Sequence, residues 1–188
     1  MGRLVLGNRQ INPAYSPTLQ TRLIAALNSL TGRDGRADFV ARAAMADSEE
    51  RAQFFEETAE LMVIFDRTHA TVERLLSEAG ATGVLASGHR IVELLPFDFV
   101  VWTEDFTNHA DRITRYAATS SPRSPREIWS TGKLSERTRR ELRKRGWTTR
   151  ANKSRLREQP GGPHGRKPLP PKSRGRCPGP RRGWAQPV

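Results

Sequence analysis

Hydrophobic residues in the first part of the chain follow helical spacing. Ser16 and Pro17 are typical of a helix start, because serine caps free N–H groups and proline fits the first turn. Apolar residues then recur at steps of three and four, at Leu19, Leu23, Ala26, Leu27 and Leu30. A second, weaker pattern of this kind covers residues 35–46. We therefore predict two short helices before residue 47.

The longest amphipathic segment covers residues 47–79. Asp47 and Glu50 have the spacing of a capping box, and Gly80 is a natural helix terminator. The apolar residues between them share one helical face: Phe54, Phe55, Ala59, Leu61, Met62, Phe65, Val72, Leu75, Leu76 and Ala79. Charged residues occupy the rest of the surface. This pattern predicts one long helix with one buried face.

The spacing changes over residues 84–95. Two short apolar runs flank Ser87, Gly88 and His89, which predicts a β-hairpin that Pro96 closes. Helical spacing resumes over 97–118, at Phe99, Trp102, Phe106, His109, Ile113 and Tyr116. We predict that this segment is the last helix of a bundle, and that its aromatic residues pack against neighbouring helices or against a second copy.

The last third of the chain has a different composition. Residues 120–125 are rich in serine and proline and predict a linker. Residues 126–150 predict a basic strand–helix–strand miniature, with a helix at 135–145 that Ser135 caps. The miniature has too few apolar residues to fold alone. In 151–188, 14 of 38 residues are Pro or Gly and 10 are Lys or Arg, which predicts a disordered tail. Out-of-frame translation of GC-rich coding sequence yields similar composition, so a non-native extension after about residue 152 stays an alternative.

These segments predict a mainly α fold. Residues 1–15 would be an N-terminal extension, and 16–119 a small helical bundle with a short β-hairpin near 84–95. The miniature and the tail would follow the linker, giving an α+β protein overall.

The net charge of +12 is concentrated in the C-terminal third. Residues 1–122 carry 12 basic and 16 acidic side chains, whereas 123–188 carry 20 basic and 4 acidic ones. The densest group lies on and beside the helix predicted at 135–145, and it gives the candidate polyanion-binding set: Arg137, Arg139, Arg140, Arg143, Lys144, Arg145 and Trp147. Arginine neutralises phosphates and tryptophan stacks on bases. The alternative is a solvated basic face whose tryptophans pack the miniature onto its neighbour.

The sequence offers little for catalysis or for a cofactor. Cys177 is the single cysteine, so neither a disulfide within the chain nor a multi-cysteine metal site can form. His69 with Glu73, and His109 with Asp105, could form a histidine–carboxylate cluster if two helices met, but an ordinary helix interface is the simpler interpretation. Nucleophile-elbow, phosphate-loop and dinucleotide-binding motifs are not found. We therefore predict no enzyme activity, no metal and no cofactor.

The function expected from the sequence is that of a non-enzymatic helical protein-interaction domain with a basic C-terminal appendage. Its protein partner is unknown, and self-association through Phe99, Trp102 and Phe106 is one form of this hypothesis. The alternative is nucleic-acid or other polyanion binding without sequence preference, through residues 135–188. Attachment to an anionic membrane surface is a third. Because the sequence shows neither a signal-peptide core nor a membrane span, we expect a cytoplasmic protein.

Overall fold

The computed structural model describes residues 12–151, which form five α-helices, a five-stranded sheet and a two-stranded sheet. The helices are α1 (Pro17–Ser29), α2 (Arg36–Ala43), α3 (Glu49–Thr68), α4 (Glu104–Ser120) and α5 (Glu136–Lys144). The strands are β1 (Val72–Leu76), β2 (Gly83–Ala86), β3 (Arg90–Leu95), β4 (Phe99–Val100), β5 (Arg126–Ser130), β6 (Lys133–Leu134) and β7 (Trp147–Ala151). A short 3-10 turn at Glu78–Gly80 joins β1 to β2.

The main sheet is mixed, and its strand order is β1-β2-β3-β5-β7. Antiparallel pairing joins β1 to β2 and β2 to β3, whereas β3, β5 and β7 run parallel to one another. The helices α4 and α5 make the crossovers that parallel strands require. The small parallel pair β4–β6 lies in the two segments that follow β3 and β5.

Both faces of the main sheet are covered, because alternate residues of the central strands enter different cores. Val92 and Leu94 of β3 pack with residues of α1, α2 and α3, such as Leu27, Phe39 and Met62. Ile91 and Leu95 of the same strand pack instead with residues of α4 and α5, such as Ile113 and Leu142. The result is a three-layer α/β/α arrangement in which β3 is buried along almost its whole length.

The prediction of a mainly helical bundle is therefore wrong. The strand–helix–strand segment does form, at β5, α5 and β7, but its two strands extend the same sheet as the predicted hairpin. Sequence spacing identifies each element separately, whereas the pairing of β3 with β5 joins residues more than thirty positions apart. Such long-range pairing leaves no periodic signal in the sequence.

The predicted helix over 47–79 ends early, at Thr68, and its last third contains strand β1. A register shift between Val72 and Arg74 adds one residue, so Val72 and Leu75 enter the same core although three positions separate them. Leu76 enters the core on the other face of the sheet. These separations are also those of a helical face, which explains the wrong prediction. The helix start is also displaced, since Ser48 rather than Asp47 caps α3.

The predicted helix over 97–118 begins later than expected. Thr103 caps α4 by accepting a hydrogen bond from the N–H of Phe106, and the helix then runs from Glu104. Phe99 and Val100 lie in the short strand β4, so the aromatic seam divides between a strand and a helix.

Several local predictions are confirmed. Ser16 caps α1 with Pro17 in the first turn, and Gly88 with His89 forms the left-handed turn of the β2–β3 hairpin. Ser135 caps α5. No helix within 12–151 has the length and apolar character needed to cross a membrane. The predicted tail after residue 151 and most of the N-terminal extension lie outside the described residues.

Candidate functional site

The basic residues of the polyanion-binding prediction lie mostly on the outer face of α5. Thr138 and Leu142 are buried and point into the protein, which directs the opposite side of the helix to solvent. The exposed cations of the helix are Arg137, Arg140, Arg143 and Lys144, of which Lys144 donates to Glu141 at 2.9 Å. Cations outnumber the carboxylates of Glu136 and Glu141 on this helix, so its outer face has a positive field.

The other two arginines of the set are held by contacts within the protein. Arg139 donates to Glu136 at 2.8 Å, a weak surface pair. Nε of Arg145 donates to Asp111 of α4 at 2.7 Å, and this hydrogen bond raises the pKa of the guanidinium. The guanidinium of Arg145 also lies 4.8 Å from the centre of the Trp102 ring. Arg145 therefore links the C-terminal end of α5 to α4.

Trp147 lies in the core under α4. Its side chain is 2% exposed, and its indole Nε1 donates to Thr114 Oγ1 at 2.8 Å. A ring in this position packs the strand–helix–strand segment against α4 and does not offer a face for stacking on a base.

An exposed apolar strip lies between β3 and α4 and consists of Phe97, Phe99 and Val101. These side chains are 43%, 58% and 48% exposed. Phe99 and Val101 flank the buried Val100 and so share one side of the short strand β4, whereas Phe97 precedes a bend at Asp98. The ring of Phe97 stacks on that of Phe54 in α3, with 5.5 Å between ring centres.

Hydrogen bonds from the end of β5 and from α5 hold the backbone of the apolar strip. The carbonyl of Phe97 accepts from Ser130 Oγ at 3.2 Å and from Thr131 Oγ1 at 3.1 Å. The carbonyl of Val100 accepts from Thr138 Oγ1 at 3.2 Å. Parallel pairing of β4 with β6 completes the support. The strip is thus fixed from behind, and its side chains face solvent.

A buried polar cluster lies between β3 and α4. Oε1 of Glu93 accepts from the N–H and from Oγ1 of Thr82, each at 3.0 Å, and lies 3.1 Å from His109 Nε2. Glu93 is 1% exposed. Gly83 is its cross-strand neighbour, and a Cβ there would crowd both the carboxylate and the backbone of Val92. The glycine makes room for the carboxylate.

The turn after β1 borders this cluster. Nη1 of Arg42 donates to the carbonyls of Ser77 and Ala81, at 2.9 and 2.6 Å. Burial lowers the pKa of Arg42, and the nearby charge of Glu93 opposes this shift. Ala79 has a left-handed backbone, with φ of 55°. These contacts stabilise a strained turn and link α2 to the sheet.

The two histidines of the metal hypothesis lie in different places. His109 contacts Glu93, whereas His69 ends α3 with its ring centre 4.4 Å from that of Trp129. Burial lowers the pKa of His69, and the charge of Arg150 lowers it further. In the described part of the chain, no three His, Cys, Asp or Glu side chains come together in a way that could hold a metal ion.

Sequence reasoning missed both the apolar strip and the role of Glu93. A lone acidic residue inside the run Ile91–Leu95 would signal a buried carboxylate once both faces of that strand are known to be covered. The strip gives no such signal, because its residues also fit a helical face. The chain was compared with protein-family models, curated proteins and solved structures, and none of the three comparisons gives a match.

Proposed function

We propose that this chain is a non-enzymatic protein-interaction domain that binds its partner on the apolar strip of Phe97, Phe99 and Val101. One observation carries the proposal. Of the four large hydrophobic residues exposed within residues 12–151, three lie in this five-residue segment, and the fourth is Met45. Single exposed apolar residues are ordinary on protein surfaces, but a contiguous group is typical of a binding site.

The support behind the strip favours binding. A flexible loop would lose conformational entropy when a partner ordered it, and before binding its apolar side chains could turn towards the protein. Here the carbonyls of Phe97 and Val100 are already hydrogen-bonded to the protein. The strip therefore meets a partner in a fixed conformation.

Charge next to the strip indicates the chemistry of the partner. Residues 97–105 include the exposed carboxylates of Asp98, Glu104 and Asp105 and contain no basic side chain. Lys133, the strand partner of Phe99, adds one exposed cation, so carboxylates outnumber cations around the strip. Like charges would repel an acidic partner, whereas lysine or arginine beside apolar residues would complement this surface. The partner we propose is a basic amphipathic protein segment.

The test is binding of the full chain to a fluorescein-labelled helical peptide of leucine and lysine, followed by fluorescence anisotropy. We expect the variant Phe99→Ser/Val101→Ser to weaken binding about tenfold or more, since two apolar contacts are lost. Phe97 is left in place because it packs on Phe54.

Two controls accompany this test. Met45→Ser removes an exposed apolar side chain outside the strip and should leave the affinity unchanged. A leucine–glutamate peptide of equal length should bind far more weakly than the lysine peptide. Equal affinity of the strip variant and the natural sequence would overturn the proposal, as would equal binding of both peptides.

A second candidate function is polyanion binding through the outer face of α5, which the exposure of Arg137, Arg140, Arg143 and Lys144 favours. Nucleic acid would be bound through its phosphates, without stacking on Trp147. We expect affinity for a labelled oligonucleotide to fall steeply between about 50 and 200 mM salt.

The matched variants for this second candidate change the same number of charges. Arg137→Ala/Arg140→Ala should weaken oligonucleotide binding and reduce the salt dependence, since each lost phosphate contact lowers the slope by about one. Arg51→Ala/Arg67→Ala, which removes exposed arginines from α3, should have little effect. Equal effects of the two pairs would leave net charge as the cause and refute a site on α5.

A further inference from the structure

The two edges of the main sheet differ in how they are closed. Along β1, the segment before α2 pairs with the strand: the N–H of Leu75 donates to the carbonyl of Asp34 at 2.8 Å, and the N–H of Asp34 donates to the carbonyl of Glu73. The bulge near Val72 further distorts this edge. Bulges and covering segments are ordinary means of protecting an edge strand.

The β7 edge lacks this protection among the described residues. Its five residues pair in continuous register with β5, and no strand within 12–151 pairs with its other side. It contains no proline and no bulge, and Thr148 and Thr149 are β-branched residues that suit a strand. Alternate backbone N–H and C=O groups of β7 therefore point away from the sheet.

Among residues 12–151, no charged side chain covers this edge either. The guanidinium of Arg150 lies over the Trp129 ring, 5.3 Å from its centre, and Nε of Arg150 donates to Glu127 Oε2 at 3.1 Å. Both partners belong to β5, the neighbouring strand inside the sheet. The side chain of Arg150 thus folds back over the sheet and leaves the edge open.

The surroundings of β7 are basic on both faces of the sheet. On one face Arg150 and Arg90 share the single carboxylate of Glu127, at 3.1 and 3.6 Å, which leaves a surplus positive charge. On the other face α5 packs along β7 and carries the exposed Arg140 and Arg143. The charge around an incoming strand would therefore be net positive on both faces of the sheet.

We propose that the free edge of β7 binds an extended acidic peptide, which adds a sixth strand to the main sheet. A second copy of β7 fits less well, because pairing of two such edges would bring Arg150 and α5 of both copies together. Nucleic acid would meet the same charges but could not continue the backbone ladder. Main-chain hydrogen bonds would supply affinity and the arginines would select acidic side chains.

The experiment uses the full chain and a labelled peptide of alternating valine and glutamate, about ten residues long. A second peptide is identical except that every other amide is N-methylated, which removes the donors that a ladder needs. Only one edge of the peptide would pair with β7, so two methylated peptides are compared, one with the odd and one with the even amides methylated. We expect binding to weaken about tenfold or more when the methyl groups lie on the edge that pairs with β7. A lysine–valine peptide should not bind.

Protein variants locate the site. Arg150→Glu should weaken the acidic peptide about tenfold, whereas Arg123→Glu, an equal charge change at an exposed turn, should alter affinity less than about twofold. Because Arg150→Glu also disturbs Glu127, amide hydrogen exchange of the natural sequence is measured as well. The amides of 147–151 should exchange more slowly with peptide bound.

Four results would overturn the proposal. Equal binding of both methylated peptides and the parent would show attraction by charge alone, and displacement of the peptide by an oligonucleotide without protection of 147–151 would point to nucleic acid. Protection of these amides before peptide is added, with a monomer in sedimentation, would mean that the chain covers its own edge. A dimer protected at 147–151 would make a second copy the occupant.

Discussion

Nε2 of His109 lies 3.1 Å from Oε1 of Glu93, and this contact joins α4 to the central strand β3. The same oxygen accepts two hydrogen bonds from Thr82, so three polar atoms of other residues lie within hydrogen-bond distance of one carboxylate oxygen. Glu93 is almost fully buried. A carboxylate in such a position is stable only when protein groups replace the water it has lost.

Removal of the Glu93 carboxylate should destabilise the fold. We expect Glu93→Ala to lower the free energy of unfolding by about 3 kcal/mol, because the buried groups of Thr82 lose their acceptor. Glu93→Gln keeps an acceptor oxygen and should cost less. Urea unfolding of Glu93→Ala, His109→Ala and the double variant should show a coupling of about 0.5–3 kcal/mol.

The control for this cycle is Glu73→Ala, which removes an exposed carboxylate from β1 and should change stability by less than about 0.5 kcal/mol. A coupling near zero, with Glu93→Ala no worse than Glu73→Ala, would refute the structural role assigned to the Glu93–His109 contact.

Trp147 should contribute to the stability of the fold and not to oligonucleotide binding. Trp147→Phe loses the hydrogen bond to Thr114 and should lower the free energy of unfolding by about 1 kcal/mol, whereas Trp147→Ala should cost about 3–5 kcal/mol. Oligonucleotide affinity of Trp147→Phe, measured by anisotropy on the folded protein, should equal that of the natural sequence. A loss of affinity comparable to that of Arg137→Ala/Arg140→Ala would contradict the buried position.

Gly132 couples the two segments that follow β3 and β5. A Cβ at this position would overlap the backbone of Asp98, inside the apolar strip segment. Gly132→Ala should therefore destabilise the protein by about 1–3 kcal/mol and move the strip. Peptide binding on the strip should weaken although no contact residue changes. Lys133→Ala, at the neighbouring exposed position, should change the stability by less than about 0.5 kcal/mol.

The sequence predicted local elements better than their assembly. Capping signals at Ser16 and Ser135 located two helix starts, because a cap depends on residues within one turn. The hairpin turn at Gly88 is local in the same sense. The sheet depends instead on β3 meeting β5 and β5 meeting β7, and those contacts carry no periodic signature.

The two candidate surfaces also differ in how far the sequence predicts them. The cations of α5 were found because a helix face follows directly from spacing, and the burial of Leu142 sets which side is exposed. For the apolar strip the sequence predicts a helix, because Phe99 and Trp102 are three residues apart. What exposes Phe99 is the pairing of β4 with β6, a contact between segments more than thirty residues apart. Spacing within one segment cannot indicate it.

Glu56 is a buried carboxyl on α3 with an incomplete set of partners. Nε of Arg22 on α1 lies 3.0 Å from its Oε1, but the N–H groups of Arg22 donate to Glu60. Neither oxygen of Glu56 accepts a hydrogen bond from the residues that the structure describes. Burial and, to a smaller extent, the charge of Glu60 raise the pKa of Glu56 to about 7, although the charge of Arg22 opposes the shift.

Stability should therefore fall as pH rises through the range from the ordinary value of 4.5 to about 7. In this window the folded protein keeps a proton on Glu56 that the unfolded chain has released, so the folded state binds more protons and loses stability with increasing pH.

Glu56→Gln keeps the shape of the side chain without its charge. We expect it to raise the free energy of unfolding at about pH 8 by on the order of 1–3 kcal/mol, and to change it little at about pH 4.5. Urea unfolding of both proteins across this range gives the slope of the unfolding free energy against pH for each. The difference between the two slopes isolates the contribution of Glu56 and its neighbours. Parallel slopes would mean that Glu56 is ionised in the folded protein at no cost, with Arg22 compensating its charge in full.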